Sequence, residues 1–390
     1  MQQNTLNNSY LLVDLGQIRR NAEAILASLP AGTELIPVLK DDGYGLGQVQ
    51  VARVLSGLPR VDLLAVAHLS EGAALRQAGI GKDILIMGGA PSHLLCVAVE
   101  HRLTLAAGRL GMVPALADLA RRAGCRAAVQ VKIETGLHRI GLCPGAELDA
   151  LMDELRRAGD AVQVTGAFTH FADVSDPERV KQQQRDFLSG VEQLAAGGFP
   201  VPLRHIAASA ASEYLPQYCL DAVRVGRRLY MDHPTAPLGT VREAVSWRTW
   251  VTNLRALPAG APVGYAGRCT LKRDALVATI GVGYGDGLQQ ELCRLHAPVL
   301  VRGKRCPLLA CCMDQAMVDV SGTDCRVDDE VTLFGCDGQG NSLSAQEAAL
   351  LIGDDEGCGL TAALTHRVAR VYTGGGSPTF GVYDKKSGTP

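Results

Sequence analysis

Aromatic residues are scarce in this chain: they make up 4% of 390 residues, while hydrophobic residues as a whole make up 47%. A core so poor in rings is mainly aliphatic, as buried parallel strands prefer. Charge of one sign is missing too. Lys and Arg number 38 against 40 Asp and Glu, a net −2, so no global basic field draws in nucleic acid or a membrane surface. No run of about 18 apolar residues occurs, which excludes a bilayer-spanning helix. Residues 1–9 are polar and lack the basic, apolar and cleavage regions of a secretory signal. The 12 cysteines are scattered, without paired CxxC spacing or nearby histidines. The last two absences point to reduced thiols in the cytoplasm. Cys306, Cys311 and Cys312 are close in sequence but are not expected to hold zinc, and no metal is expected elsewhere.

What is present is an alternation. The length suits a barrel of about 250 residues followed by a smaller domain. A strand is expected over 10–15 and a helix over 18–29. Apolar runs then predict strands at 35–40, 62–67, 83–87, 103–106, 128–133, 162–169, 203–207 and 221–225. Amphipathic stretches between them predict helices such as 69–78, 111–123, 147–158 and 179–196, several closed by a glycine (Gly79, Gly124, Gly159). The fold class is therefore α/β: an N-terminal (β/α)8 TIM-type barrel over 1–240, with an open doubly wound sheet as the alternative. After 240 the runs are short and divided by Gly, Pro and Asp. Strands are expected at 247–257, 274–282, 298–301, 316–320 and 330–334, and one helix at 344–351 capped by Ser344. That is a mostly β C-terminal domain, 241–390, with which residues 1–15 could also pair. The glycine-rich tail from Gly374 is expected to fray.

The chemistry centres on Leu39-Lys40-Asp41-Asp42-Gly43-Tyr44-Gly45. A lysine at the carboxyl end of the first barrel strand stands at the catalytic mouth, where partial desolvation would lower its pKa enough for Schiff-base chemistry. Phosphate sites in this fold lie after strands seven and eight. There the chain has Ala207-Ala208-Ser209 and Gly226-Arg227. Ser209, Gly226 and the phenol of Tyr44 can cradle a phosphate, and with Lys40 they describe pyridoxal 5'-phosphate. Arg139, beyond strand five, His170, ending strand six, and Arg224, ending strand eight, add charge and polarity. Set against a pyridine nitrogen, Arg224 would keep that nitrogen unprotonated and shorten the life of a carbanion.

With these residues assembled, the chain closely resembles the alanine racemase family of fold-type III pyridoxal phosphate enzymes, from about residue 10 to 372. The matching stretches include Leu39-Lys40 with Gly43-Tyr44-Gly45, residues 132–141, Thr169-His170-Phe171-Ala172 and Arg224-Val225-Gly226. In the second domain they include Pro262-Val263-Gly264-Tyr265, Gly283-Tyr284-Gly285-Asp286-Gly287 and Met313-Asp314-Gln315. The resemblance implies an isomerase that interconverts L- and D-alanine, a peptidoglycan precursor, or acts on another small amino acid such as serine. It implies that Lys40 binds the cofactor and is one catalytic base, and that Tyr265 is the other. The tyrosine would cross a head-to-tail homodimer into the partner's barrel, giving shared active sites. His170 and Arg224 would tune that tyrosine, and Arg139 would approach the cofactor hydroxyl. Tyr284, Met313 and Asp314, with Arg139, would line the substrate site. Lys132 resembles a lysine that is carbamylated in some members. Two bases suit the chemistry, because racemisation takes a proton from one face of a planar carbanion and returns it to the other.

The departures cluster around the cofactor and the substrate entrance. Around the lysine the family usually reads Lys-Ala-Asn/Asp-Ala-Tyr-Gly-His-Gly, and this chain has Asp41, Asp42, Gly43 and Leu46; Ala208 replaces an asparagine. Arg227 replaces an apolar residue and would add charge at the phosphate. Gly357-Cys358-Gly359 stands where the family has Pro-Tyr-Glu, and Leu288-Gln289-Gln290 follows Gly287 in place of an aromatic and Pro-Arg. The alternatives left open are a non-catalytic or weakly active cofactor-binding homologue, and a racemase or decarboxylase for a larger amino acid.

Overall fold

The computed structural model describes residues 7–232, 239, 241–354, 357–374 and 379–381. Strand β1 (Ser9–Asp14) leads into a helix, Leu15–Ser28, capped by the Asp14 carboxylate on the Gln17 amide. Eight parallel barrel strands follow among the described residues: β2 (Glu34–Pro37), β3 (Leu63–Val66), β4 (Asp83–Ile86), β5 (Thr104–Ala107), β6 (Ala127–Lys132), β7 (Val162–Phe168), β8 (Arg204–His205) and β9 (Ala222–Val225). β3 to β8 pair in sequence order and β2 pairs with β9. Single bridges, Val38 to Ala65 and Ala208 to Arg224, close the ring. The barrel expected from the apolar runs is what forms.

Alternation decides what each strand residue faces. Ile36 on β2, Val38 just beyond it, Leu63 and Ala65 on β3, Phe168 on β7 and Ala222 on β9 pack in one cluster inside the ring. Their odd neighbours Leu35, Leu39, Val223 and Val225 pack outward in the large aliphatic core, as do Val129 and Val131 on β6. The same parity turns Gln130, Lys132, His170 and Arg224 inward.

The second domain contains β10 (Val245–Leu257), β11 (Pro262–Val263), β12 (Cys269–Thr270), β13 (Ala275–Ile280), β14 (Pro298–Val301), β15 (Lys304–Cys311), β16 (Ala316–Asp319), β17 (Glu330–Cys336), β18 (Ser342–Leu343), β19 (Ala369–Thr373) and β20 (Thr379–Gly381). Its main sheet has ten strands and includes β1, which runs antiparallel to β10 and parallel to β19. The first strand of the chain is thus built into the last domain. β15 has no counterpart among the apolar runs, because Lys304, Arg305 and Pro307 interrupt it. Proline is rare within sheets, and here Pro307 lies opposite Pro298 on β14. Ser344 caps its helix, accepting from the Glu347 amide. Of the tail expected to fray, 375–378 and 382–390 lie outside the described residues, and Thr379–Gly381 pairs with β19. Among the described residues no helix is long and apolar enough to cross a membrane.

Candidate active site

The backbone is locked to both neighbouring strands up to the lysine: Val38 N–H donates to Val225 O and Leu39 N–H to Ala65 O, both at 2.8 Å. β2 nevertheless ends at Pro37. Lys40 therefore stands beyond the strand, which the apolar run had extended to residue 40. Next comes a left-handed turn, with φ of 56° at Asp41, 52° at Asp42, 65° at Gly43, 59° at Tyr44 and 82° at Gly45. Each L-residue held this way costs roughly 1–2 kcal/mol, least for aspartate and asparagine, and glycine is free of the penalty. The two acids beside Lys40 now have a reason: Asp41-Asp42-Gly43 is a sequence that tolerates this backbone. Asp41 is exposed, and its N–H donates to the Glu71 carboxylate at 2.6 Å. The Asp42 carboxylate accepts from the Gln48 amide at 2.9 Å and so starts the helix Gln48–Leu55.

Lys40, Tyr44, Arg139, His170, Ser209, Arg224 and Gly226 come together around one cavity of about 310 Å³ at the barrel mouth, with Lys132 and Phe168 beneath. Lys40 Nζ lies 5.6 Å from the centroid of the Tyr44 ring. A Cβ built on Gly226 would lie 2.8 Å from Tyr44 Cζ and nearer still to its hydroxyl, so only glycine admits the phenol there. The Gly226 amide donates to Ser209 Oγ at 3.3 Å. Arg227 is half-buried one residue farther on, in the turn Arg227–Leu229 and outside the lining.

Arg224 is buried and spends its donors on Thr169 O (2.7 Å), His205 Nδ1 (2.8 Å), His205 O (3.0 Å), His170 Nδ1 (3.0 Å) and Ile206 O (3.2 Å). His205 in turn stacks on Phe168 at 5.0 Å and meets Gln130 Oε1 at 2.7 Å. Burial lowers Arg224 to about 9, with Arg139 adding to the effect, so it stays charged at neutral pH. Burial and then the cations Arg224, Lys132, Arg139 and Lys40 push His170 down to about 3. Burial first, then Arg224 and Arg139, holds the Lys132 amine well below its ordinary value. Lys132 Nζ sits 4.6 Å from the centroid of the Phe168 ring. No carboxylate lines this cavity among the described residues. A site that collects cations and buries a guanidinium without a counter-charge calls for an anion.

The second-domain candidates are elsewhere in the same chain. Tyr265 and Tyr284 line a separate cavity of about 350 Å³ with Arg268, Cys293 and Arg294. Tyr265 is 74% exposed, on a kinked turn opened by Gly264 at φ 78°. Met313, 58% exposed, and Asp314 lie between β15 and β16, where Met313 O accepts from the Gly285 amide at 2.8 Å. Sequence reasoning passed over Gln130, His205, Glu71, Arg370 and Tyr372. Gln130 could have been found, as a polar residue two before Lys132 in an otherwise apolar strand. Among the described residues no group of three His, Cys, Asp or Glu could hold a metal ion.

Comparison with known proteins bears on this geometry. Residues 13–234 match the family model described as alanine racemase, N-terminal domain, and residues 244–372 match that described as alanine racemase, C-terminal domain. The chain is 37% identical over 372 residues to the alanine racemase of Symbiobacterium thermophilum, covering 93% of this chain and 96% of that one. It is 35% identical over 368 residues to that of Desulfovibrio desulfuricans, covering 92% and 96%. Among solved structures, the alanine racemase of Bacillus anthracis with bound L-Ala-P superposes with a TM-score of 0.88 at 27% identity, covering 97% of this chain and 98% of that one. The alanine racemase of the D-cycloserine producer Streptomyces lavendulae also gives 0.88, at 29% identity and coverage of 95% and 98%.

Proposed function

The chain belongs to the alanine racemase family, and from that premise we propose that it interconverts L- and D-alanine, or another small amino acid such as serine, at the barrel mouth. The observation that carries this reading is the cavity that gathers Lys40, Lys132, Arg139 and Arg224 with no carboxylate among the described residues of its lining, beside a glycine cradle. The residues present fit pyridoxal 5'-phosphate. Tyr44, Ser209 and the Gly226 backbone would hold the phosphate, Lys40 the aldehyde carbon, Arg139 the ring hydroxyl and Arg224 the ring nitrogen. When bound, the cofactor supplies an electron sink that acidifies the α-hydrogen of the amino acid joined to it.

The chain's own residues then set the protons. Arg224 stays charged, so it offers the ring nitrogen a cation and no proton. The same guanidinium donates to His170 Nδ1. A neutral His170 must then carry its proton on Nε2, which leaves that N–H free to donate outward. A phenol facing it is helped to ionise, both by that hydrogen bond and by the nearby cations. The phenol assigned here is Tyr265 of the partner subunit, working opposite Lys40. The exposure of Tyr265, and its place in a cavity apart from Lys40 of its own chain, support a head-to-tail dimer in which each chain lends its tyrosine to the other. Lys40 takes the proton on one face and Tyr265 returns one on the other, and the reverse direction exchanges the roles. The Lys132 amine beneath, held well below its ordinary value by burial and the neighbouring guanidinium groups, is the group that would take up carbon dioxide, which would place an anion beside Arg139 and Arg224.

The test mixes two inactive variants, Lys40→Ala and Tyr265→Phe, under conditions where subunits exchange. A heterodimer has one site with both lesions and one with neither, so racemisation of alanine should return. Exchange without recovered activity would refute the shared site.

A further inference from the structure

Lys40 is exposed on a flexible side chain, so its amine is aimed mainly by the backbone beneath it. That backbone is the left-handed turn of residues 41–45, a conformation L-residues disfavour. Internal bonds run through it, among them Gly43 N–H to Leu39 O, Gly45 N–H to Asp41 O and Gly47 N–H to Asp42 O at 2.8 to 2.9 Å, and Leu46 N–H to Gly43 O at 3.2 Å. They hold its shape, whereas its orientation is set by groups outside it, two of which come from the far end of the chain.

Arg370, on β19, is buried; its Nε donates to Gly45 O at 2.9 Å. Its other nitrogens tie that guanidinium to Thr365 O and Val368 O at 2.7 Å and to Leu364 O at 3.0 Å. Two residues on, Tyr372 donates its hydroxyl to Leu46 O at 3.0 Å. The fit is close at two glycines of this segment, Gly45 against the helix Cys358–Ala362 and Gly47 against β19. A Cβ on Gly45 would lie 2.7 Å from the Thr361 carbonyl carbon and nearer its oxygen, and one on Gly47 would lie 3.1 Å from Tyr372 Cζ and nearer its hydroxyl. From the barrel side the Glu71 carboxylate takes the amides of Asp41, Ala67 and His68. β19 is itself held beside β1 in the sheet of the second domain.

We propose that Arg370 and Tyr372 are positioning residues for Lys40, gripping the carbonyls of Gly45 and Leu46 so that the turn presents the lysine to the cavity in one direction. This rests on the reading of Lys40 as the reactive lysine. It gives the second domain two separate tasks. Through β19 it aims the lysine of its own chain, and through Tyr265 it serves the other.

Tyr372→Phe tests it while keeping the ring and removing only the donor; Arg370→Lys is the stronger perturbation, and if that variant fails to fold the phenylalanine variant decides alone. In the apoprotein, hydrogen exchange at the Gly43, Gly45 and Gly47 amides should quicken about fivefold to tenfold in Tyr372→Phe, with barrel strands unchanged. In the holoenzyme kcat should fall about tenfold at unchanged KM, since misplacing a reacting group by a fraction of an ångström has effects of that order. The pH midpoint of the visible absorption band of the lysine-bound cofactor should also move. Unchanged exchange at the three amides would overturn the inference. So would quickened exchange with kcat and the band midpoint unchanged, or kcat and KM shifting together. A wild-type protein that racemises nothing would sink the proposed function instead, and the exchange data would still decide whether β19 holds the turn.

Discussion

Replacing Gly226 by alanine sets a methyl carbon 2.8 Å from Tyr44 Cζ, 3.0 Å from a ring carbon and nearer still to the hydroxyl. The backbone at 226 has little room to retreat. Its amide is tied to Ser209, its carbonyl accepts from the Leu229 amide at 2.9 Å, and the preceding carbonyl holds Val38. Tyr44 must therefore swing away, on the side not blocked by Tyr230, whose ring centroid lies 5.3 Å from its own. The loss is one hydrogen bond to an anion, worth about 1.5–3 kcal/mol. At about 1.4 kcal/mol per decade, pyridoxal phosphate should bind roughly 10- to 150-fold more weakly. The assay titrates apoenzyme with the cofactor and follows visible absorbance. Tyr44→Phe should lose a similar amount. The double variant should lose much less than the sum, because the same donor is removed only once. Gly226→Ala binding within about twofold of wild type with the fold intact, or fully additive losses, would refute the cradle.

Other outcomes follow from the same site. Arg224→Gln removes the leading cation acting on His170 and Lys132 and leaves buried acceptors without a charged donor. The His170 ring should then titrate nearer its ordinary value by NMR, and stability should fall by about 1–3 kcal/mol for each buried group left unpaired. Folded His170 takes a proton only near pH 3, whereas the unfolded residue does so near 6.5. Between those values the unfolded chain binds more protons, so stability should fall as pH falls through that window. Urea midpoints at pH 7 and pH 5 would show it, and His170→Gln should flatten the trend. Asp42→Ala removes the cap on the Gln48 amide and should cost about 0.5–2 kcal/mol in denaturation, with Asp42→Asn close to wild type.

Much of the barrel was legible because a parallel strand buried on both sides reads as a near-continuous apolar run, and eight such runs lie between residues 35 and 225. Lys40, Tyr44, Ser209 and Gly226 could be gathered from sequence for a related reason: a barrel places the loops after its strands on one face, so their position along the chain implies their neighbourhood. The strand at 304–311 could not be read, since its half-exposed, proline-broken pattern acquires meaning only beside β14 and β16. Asp41 and Asp42 stood out in the sequence only as unexpected acids beside the lysine. Their actual use, tolerance of a left-handed backbone and a helix cap, depends on φ angles that composition does not reveal. The sequence offered the last domain as a place for residues 1–15 to pair, but apolar patterning could not name β10 and β19 as the neighbours of β1, because a strand's own residues set its buried face and not its partner. The sequence by itself determined which residues are apolar, in what period, and which reactive groups follow each strand. The tertiary structure alone decided that Arg370 and Tyr372 reach back some 325 residues to grip the lysine turn. It alone set Tyr265 in a cavity apart from Lys40. Both depend on how two domains pack, and contacts between distant segments are set by the summed complementarity of whole surfaces.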